Sequence, residues 1–115
     1  SVEHHDAVLA ATSHLPHLLA YALVDMLARL DDSREIFAYA AGGFRDFTRI
    51  ASSDPVMWRD ISLANREAIV SMLKQYQAEV NGLIKAVAAG DGAKLETLFA
   101  RAKAARDALV TNDQK

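Results

Sequence analysis

The most informative segment of the chain lies between residues 42 and 58 and reads Gly-Gly-Phe-Arg-Asp-Phe-Thr-Arg-Ile-Ala-Ser-Ser-Asp-Pro-Val-Met-Trp. Its two glycines allow the backbone to turn, and the residues that follow have helical spacing. Arg45 and Arg49 are four residues apart, so we expect them to share one helix face, with Asp46 beside them. A short helix whose N-terminal N–H groups and two guanidinium groups lie close together is suited to hold a carboxylate or phosphate.

The end of this stretch predicts where the next helix begins. Asp54 is a good N-cap, and Pro55 is favoured at the first helical position. Apolar residues then recur at helical spacing to about Ala89, so we expect one long helix of ~50 Å at ~1.5 Å per residue. A compact domain of this length has a radius of gyration of only ~13 Å. The apolar stripe of such a helix therefore needs another surface, and a second copy of the chain is the simplest supplier.

Upstream of the stretch, a first helix is predicted from Val2 to Leu30, with Ser1 as its N-cap. Its sides are apolar almost all round, so we expect this helix to be enclosed. Pro16 removes one backbone hydrogen bond and should kink the helix or open its wall near Thr12. A kink there would bring polar side chains together in an apolar surrounding, as in a ligand pocket: Ser13, His14 and His17.

The remaining segments are also helical by pattern. We expect a linker from Asp31 to Ala41 that contains a short helix with Ile36, Phe37 and Tyr39 pointing inward. A last helix is predicted from Ala93 to Val110, capped by Asp91, followed by a polar tail, Thr111 to Lys115. No segment has a convincing strand pattern, so the predicted fold class is all-α.

Composition excludes several classes of protein. The chain has 115 residues, enough for one domain, and 51% of them are hydrophobic, which excludes a disordered chain. A formal net charge of −2 leaves no basic patch, so nucleic acid is not an expected partner. The chain has no cysteine, which excludes disulfides, a thiolate nucleophile and a cysteine zinc site, and fits a cytoplasmic location.

The membrane is not an expected partner either. The window from Ala7 to Val24 has no charged residue and is about as long as a bilayer span. It contains serine, threonine, proline and two histidines, which are poor lipid-facing residues, so burial within or between subunits is the better interpretation. The chain starts in what already reads as helix, so we expect no signal peptide and a start within a longer protein.

Several chemistries are missing or weakly indicated. The chain has no Gly-x-Gly-x-x-Gly fingerprint, phosphate-binding loop or nucleophile elbow, so we expect it to bind no nucleotide cofactor by itself. His14 and His17 have a spacing that suits a metal, but no third ligand follows at recognisable spacing, so no metal is expected. From the residues alone, buried histidines bonded to the backbone remain the favoured interpretation. Arg49 has the less favoured alternative of a surface ion pair with Asp46, and Trp58 can equally be core or the wall of a pocket.

Two motifs in this order resemble a known family. The segment from Gly42 to Ile61, with Asn65 shortly after it, resembles the signature of the C-terminal domain of prephenate and arogenate dehydrogenases. His5-Asp6 and the run Thr12-Ser13-His14-Leu15-Pro16-His17 resemble that family's other marker. The resemblance covers the chain from His5 to about Ala89.

The resemblance implies an all-α domain that forms an intertwined homodimer, with a Pro-kinked buried first helix and one long helix. The enzyme it implies oxidises prephenate or arogenate with NAD or NADP, releases carbon dioxide and leaves an aromatic ring, on the route to tyrosine. In the family, the histidine and serine that contact the ring hydroxyl belong to a preceding Rossmann domain, which also binds the cofactor. Residues 1–115 would then be the substrate-binding and dimerisation domain, without catalytic residues and inactive alone.

The same resemblance implies roles for six residues. Arg49 would hold a substrate carboxylate, with Asp46 orienting it or closing the pocket. His17 and Ser13 would form the pocket wall, His5 its edge, and Trp58 either core or a wall at the dimer interface. His14 is expected to face away and to support the structure. A different class also remains open: a stand-alone, non-enzymatic homodimeric module that binds an aromatic acid such as tyrosine.

Overall fold

The computed structural model describes residues 1–113, with side chains described as far as Val110. This part of the chain contains helices and no strand, which confirms the all-α prediction. The elements are α1 (Val2–Leu9), a π-helical turn (Ala10–His14), α2 (Leu15–Ala28), α3 (Ser33–Ala38), α4 (Gly42–Thr48), a 3-10 turn (Arg49–Ser52), α5 (Pro55–Ala64), α6 (Arg66–Ala88) and α7 (Gly92–Asp113). Backbone contacts divide the chain into an N-terminal unit, Ser1–Lys74, and a C-terminal unit, Gln75–Lys115.

The first helix runs without a loop from Val2 to Ala28, two residues short of the predicted end. Ser1 caps it as expected, because its Oγ accepts a hydrogen bond from the main-chain nitrogen of His4 at 3.2 Å. The expected disturbance near Pro16 is present as the π-helical turn directly upstream, where the Leu15 N–H reaches back five residues to the Ala10 carbonyl. Pro16 lies in the first turn of α2, where its missing N–H is tolerated.

A single subunit leaves most of this first helix partly exposed. Ala10 and Ala20 are the residues of the helix that are fully buried in the described part of the chain. The helix is also long and apolar enough to cross a membrane by length and composition, a test that the core helix of a soluble protein passes as well. Enclosure of this helix therefore requires a surface beyond those of the N-terminal unit.

The short helix α3 follows the linker as predicted. Ile36 and Phe37 are partly buried, and the ring of Phe37 lies 6.1 Å from that of Phe44 on α4. The inward orientation predicted for Tyr39 is wrong for a single subunit, because the residue is 81% exposed. Tyr39 is the C-cap of α3, with φ −95° and ψ 9°. Its backbone has left the helical conformation, so its side chain does not follow the helix face that carries Ile36 and Phe37.

The predicted glycine turn is also wrong. Gly42 and Gly43 form the first turn of α4, and neither has a positive φ. The change of direction comes instead from Ala41, whose backbone is extended at φ −96° and ψ −178°. Because α4 ends at Thr48, Arg49 opens the 3-10 turn and does not continue a regular helix from Arg45.

The long helix predicted from residue 55 to residue 89 is interrupted at Asn65. The helix begins as expected, with Pro55 in its first turn and the Asp54 carboxylate accepting from the Val56 main-chain nitrogen at 3.0 Å. Asn65 leaves the helical conformation at φ −115° and ψ 40°, and this divides α5 from α6. The Ile61 carbonyl still accepts from the Asn65 N–H, and the Asn65 carbonyl still accepts from the Ile69 N–H, so both main-chain groups of the residue at this bend are bonded.

The C-terminal unit is built from the end of α6 and from α7. Gly90 has φ +66°, the left-handed conformation that glycine adopts most easily, and it ends α6. Asp91 caps α7 as predicted, because its carboxylate accepts from the Lys94 main-chain nitrogen at 3.1 Å. The helix continues through Thr111–Asp113, where a tail was predicted, while the last two residues of that tail, 114 and 115, lie outside the described residues.

Candidate functional site

An indole flanked by two imidazoles is the centre of the candidate site. Trp58 lies in the first turns of α5 and is 7% exposed. The His17 ring stacks on it with centroids 4.0 Å apart and planes 16° apart. The His14 ring meets the same indole edge-on, at 6.0 Å and 79°. The proline-disturbed first helix and α5 therefore place both histidines on one buried aromatic side chain, and His14 does not face away from it.

Trp58 has a structural role within a single subunit. Its burial makes it part of the core of the N-terminal unit, together with Ile69, Ala10 and Ala20. Its Nε1 is buried and has no hydrogen-bond partner in the part of the chain that the structure describes. A buried donor without an acceptor costs stability. The packing of the indole, including its stack on His17, must offset that cost.

His17 is oriented by the π-helical turn. Its Nδ1 lies 2.8 Å from the main-chain carbonyl of Ser13, which can only accept, so Nδ1 carries the proton. In the neutral ring, Nε2 then carries the lone pair and is able to accept a hydrogen bond from a ligand hydroxyl. Ser13 thus contributes to the site through its carbonyl oxygen.

His14 has the opposite arrangement. Its Nδ1 lies 3.2 Å from the side-chain nitrogen of Asn65, which can only donate, so Nδ1 accepts and Nε2 carries the proton. The same Asn65 nitrogen donates to the main-chain carbonyl of Asp6 at 2.9 Å. The pKa of His14 lies below its usual 6.5, mainly because burial disfavours the charged ring and secondarily because a charge on His17 repels it, while Asp6 acts in the opposite direction.

Arg49 and Asp46 are exposed and lie at the junction of α4 with the 3-10 turn. They do not form the alternative ion pair with each other among residues 1–113, and the Arg49 guanidinium has no other protein partner there. Arg45 differs, because its Nε donates to the Ala40 carbonyl at 3.3 Å. Of the two arginines, Arg49 is therefore the one with all its guanidinium donors available, whereas Arg45 has its Nε–H engaged by its own backbone.

The structure brings three of the six candidate residues together: Ser13, His17 and Trp58. Arg49, Asp46 and His5 make no hydrogen bond, ion pair or ring contact with these three in the described part of a single chain. His5 is exposed on α1. Asn65 was not among the candidates. The signals that could have identified it are its place in the resemblance and its poor helix propensity within a predicted long helix.

The cavity beside Trp58 is small. It has a volume of about 210 Å³ and is lined by Leu18, Tyr21, Pro55, Trp58, Arg59 and Ser62. Pockets for drug-sized ligands are usually ~300 to 1,000 Å³, so the cavity beside Trp58 by itself offers only part of a binding site. A larger cavity of about 520 Å³ lies within the C-terminal unit, between α6 and α7, and contains none of the candidate residues.

The described residues do not fit a metal or a dinucleotide. No group of three or more histidine, cysteine, aspartate or glutamate side chains in this part of the chain is able to hold a metal ion. The described part also has no strand, so it contains no βαβ unit to receive a nicotinamide cofactor.

Comparison with known proteins places this arrangement in a family. A family model described as "Prephenate dehydrogenase, dimerization domain" matches residues 1–101. The chain is 44% identical over 114 residues to a cyclohexadienyl dehydrogenase of Zymomonas mobilis, covering 97% of this chain and 39% of that protein. It is 40% identical over 110 residues to a prephenate dehydrogenase of Bacillus subtilis, covering 95% of this chain and 30% of the relative. The chain thus spans two fifths or less of these relatives.

Solved structures agree with the sequence relatives. The structure of prephenate dehydrogenase from A. aeolicus in complex with hydroxyphenyl propionate and NAD+ matches with a TM-score of 0.85 and 40% identity, covering 92% of this chain and 37% of that one. A Synechocystis arogenate dehydrogenase matches with a TM-score of 0.86 and 26% identity, covering 91% of this chain and 39% of the other.

Proposed function

Because the chain belongs to the prephenate dehydrogenase dimerisation-domain family, we propose that it is the substrate-binding and dimerisation part of a dehydrogenase that oxidises prephenate or arogenate. The relatives extend well beyond the matched region. We propose that the full-length protein carries a Rossmann domain in that remainder, and that this domain binds NAD or NADP and supplies the catalytic residues. NAD(P) supplies hydride acceptance when bound, and the residues described above bind and orient the acid.

The observation that carries this proposal is the His17 ring stacked on Trp58, with Nε2 free to accept a hydrogen bond. Prephenate and arogenate each have a six-membered ring with a hydroxyl and carboxylates. An aromatic wall suits the ring, and the ring hydroxyl would be contacted by the histidine and serine of the proposed Rossmann domain. The bond from His17 to the Ser13 carbonyl in the π-helical turn would hold the stacked rings of His17 and Trp58 in one geometry. Alignment of a substrate for hydride transfer requires such a fixed geometry.

Arg49 is proposed as the carboxylate clamp, since a guanidinium without a protein partner is suited to bidentate binding of a carboxylate. Asp46 and His5 would lie at the edge of the same pocket. A homodimer would bring the surfaces that a single subunit lacks, both for the partial cavity beside Trp58 and for the partly exposed first helix. Because a second copy would cover that apolar helix, the helix would not need a membrane. The enzyme would then act in the cytoplasm, as a biosynthetic dehydrogenase does.

Calorimetry with hydroxyphenylpropionate tests the clamp. In the full-length protein, Arg49→Ala should weaken binding about 10- to 100-fold, because a charge-assisted hydrogen-bonding pair contributes about 1.5 to 3 kcal/mol. Arg45→Ala is the matched control and should bind as the unmodified protein does, since Arg45 is already bonded to its own backbone. Equal affinities for Arg49→Ala and Arg45→Ala would contradict the clamp.

A second experiment tests the division of labour between domains. The 115-residue chain, mixed with prephenate and NAD+, should not reduce the cofactor, whereas the full-length protein should. Hydride transfer by the short chain at a normal enzymatic rate would refute the proposal. A reading frame that begins at Ser1, without a dinucleotide-binding fold before it, would instead favour the non-enzymatic binding module.

A further inference from the structure

Asn65 makes two long-range hydrogen bonds from one atom. Its Nδ2 donates to the Asp6 carbonyl, 59 residues away, at 2.9 Å, and to His14 Nδ1, 51 residues away, at 3.2 Å. The residue is half-buried and lies at the bend between α5 and α6. It therefore joins that bend to α1 on one side and to the π-helical turn on the other.

The bond to His14 determines which ring nitrogen holds the proton. A primary amide nitrogen has two protons and no acceptor capacity, so His14 must present the Nδ1 lone pair. His17, bonded through Nδ1–H to the Ser13 carbonyl, must have the other tautomer. The two histidines on Trp58 thus have opposite tautomers, and each is determined by a different partner.

We propose that Asn65 is a positioning residue for the substrate-binding wall, which is the stacked pair of His17 and Trp58. Its two amide protons hold the π-helical turn against the α5–α6 bend and keep His14 as the Nε2–H tautomer. Trp58 therefore stays stacked on His17. This inference rests on the proposed function, because the wall has a purpose only if His17 meets the substrate. Aspartate has the same shape but offers oxygen lone pairs to His14 Nδ1, and alanine offers nothing.

Nitrogen-15 spectra of selectively histidine-labelled, full-length protein test the positioning role directly. At pH 8, His14 should show the Nε2–H tautomer and His17 the Nδ1–H tautomer. In Asn65→Asp, His14 should change to the Nδ1–H form or hold its second proton to higher pH. Asn81→Asp adds the same charge on the exposed surface of α6 and should leave both rings unchanged. A His14 ring protonated at Nδ1 in the unmodified protein, or unchanged in Asn65→Asp, would overturn the proposal.

Steady-state kinetics separate positioning from general damage. Asn65→Asp and Asn65→Ala should raise the KM for prephenate about tenfold while kcat changes less than about twofold, because Asn65 touches no reacting atom. A kcat loss with unchanged KM would overturn the positioning role. A third outcome is that the His14 tautomer changes as expected while both KM and the affinity for hydroxyphenylpropionate stay the same. The wall would then not bind substrate, and the proposed function would fail together with the inference that rests on it. Because the unmodified protein already reports its tautomers, the test does not depend on any variant folding.

Discussion

The N-terminal and C-terminal units are stabilised in different ways. In the N-terminal unit, side chains bond to residues far away in sequence, as in the Tyr21 hydroxyl donating to the main-chain carbonyl of Ser53 at 2.6 Å, and Trp58 is buried. In the C-terminal unit, Ala86 is the buried apolar residue among those described, and the bonds made by Asp91 and Lys103 reach three and four residues along the helix.

The two units therefore differ in the interactions that position their side chains. In the N-terminal unit, hydrogen bonds between distant residues hold specific side chains in one geometry. The helices of the C-terminal unit are formed by local propensity and capping. Large apolar side chains are exposed in both units, for example Phe99 at 57% and Ile84 at 58% in the C-terminal unit and Leu63 at 59% in the N-terminal unit. Exposed apolar surface of this kind is typical of an interaction face, as the description of the matching family as a dimerisation domain also indicates.

The largest expected effect comes from the core of the N-terminal unit. Trp58→Ala should lower the free energy of unfolding by about 3 to 5 kcal/mol, because it leaves a cavity and removes the surface on which His17 stacks. Urea denaturation followed by circular dichroism measures the change. Trp58→Phe, which keeps an aromatic ring, should retain most of the stability. A loss under about 1 kcal/mol for the alanine variant would mean that this unit does not depend on its own core.

The next effect concerns the C-terminal unit. Phe99→Asp should weaken self-association about 10- to 100-fold, because a charge would be desolvated where a second copy covers the ring. Analytical ultracentrifugation over a dilution series measures the dissociation constant. Gln77→Asp adds the same charge at an exposed polar position of α6 and is the control. Unchanged association in Phe99→Asp would show that this aromatic side chain lies outside the interface.

A smaller effect tests the long-range bonds. Tyr21→Phe should cost about 1 kcal/mol of unfolding free energy, since it removes the hydroxyl that donates to Ser53. Tyr39→Phe, at an 81% exposed residue, should have almost no effect. Equal losses in the two variants, measured by the urea midpoint, would remove the contrast between bonded and exposed tyrosines.

The smallest effect is a dependence of stability on pH. The pKa of His14 is lowered in the folded state, mainly by burial, so the unfolded chain binds a proton more readily below pH 6.5. The stability contributed by neutral His14 is therefore complete above about pH 6.5 and is lost as the pH falls through the folded-state pKa. The urea midpoint should fall between pH 7.5 and 5.5, and His14→Gln should reduce that fall, whereas His4→Gln at an exposed position should not. An identical fall in His14→Gln would exclude His14 as its source.

The features that sequence reasoning predicted correctly are those with local causes. Ser1, Asp54 and Asp91 cap helices because each side chain reaches main-chain nitrogens two or three residues ahead. Pro16 disturbs the helix just before it because its own ring lacks an N–H. Such effects depend on the nearest neighbours in the chain, so the spacing of residue types is enough to find them.

The incorrect predictions have distant or subtle causes. The bend at Asn65 coincides with hydrogen bonds to residues 59 and 51 positions away, and helical periodicity continues across it. The glycines at 42 and 43 permit a turn but do not require one, and the backbone turned at Ala41 instead. Of the six candidate residues, three meet and three remain apart within one chain, which spacing along a helix was unable to distinguish.

The amino-acid order alone determined an all-helical chain, the starts of its main helices, the disturbance before Pro16 and the resemblance that led to a family. Tertiary structure alone decided which rings stack on Trp58, which tautomer each histidine has and where the long helix bends. The physical reason is range: capping and proline geometry act over one helical turn, whereas ring stacking and the bonds of Asn65 exist only after segments more than forty residues apart have packed together.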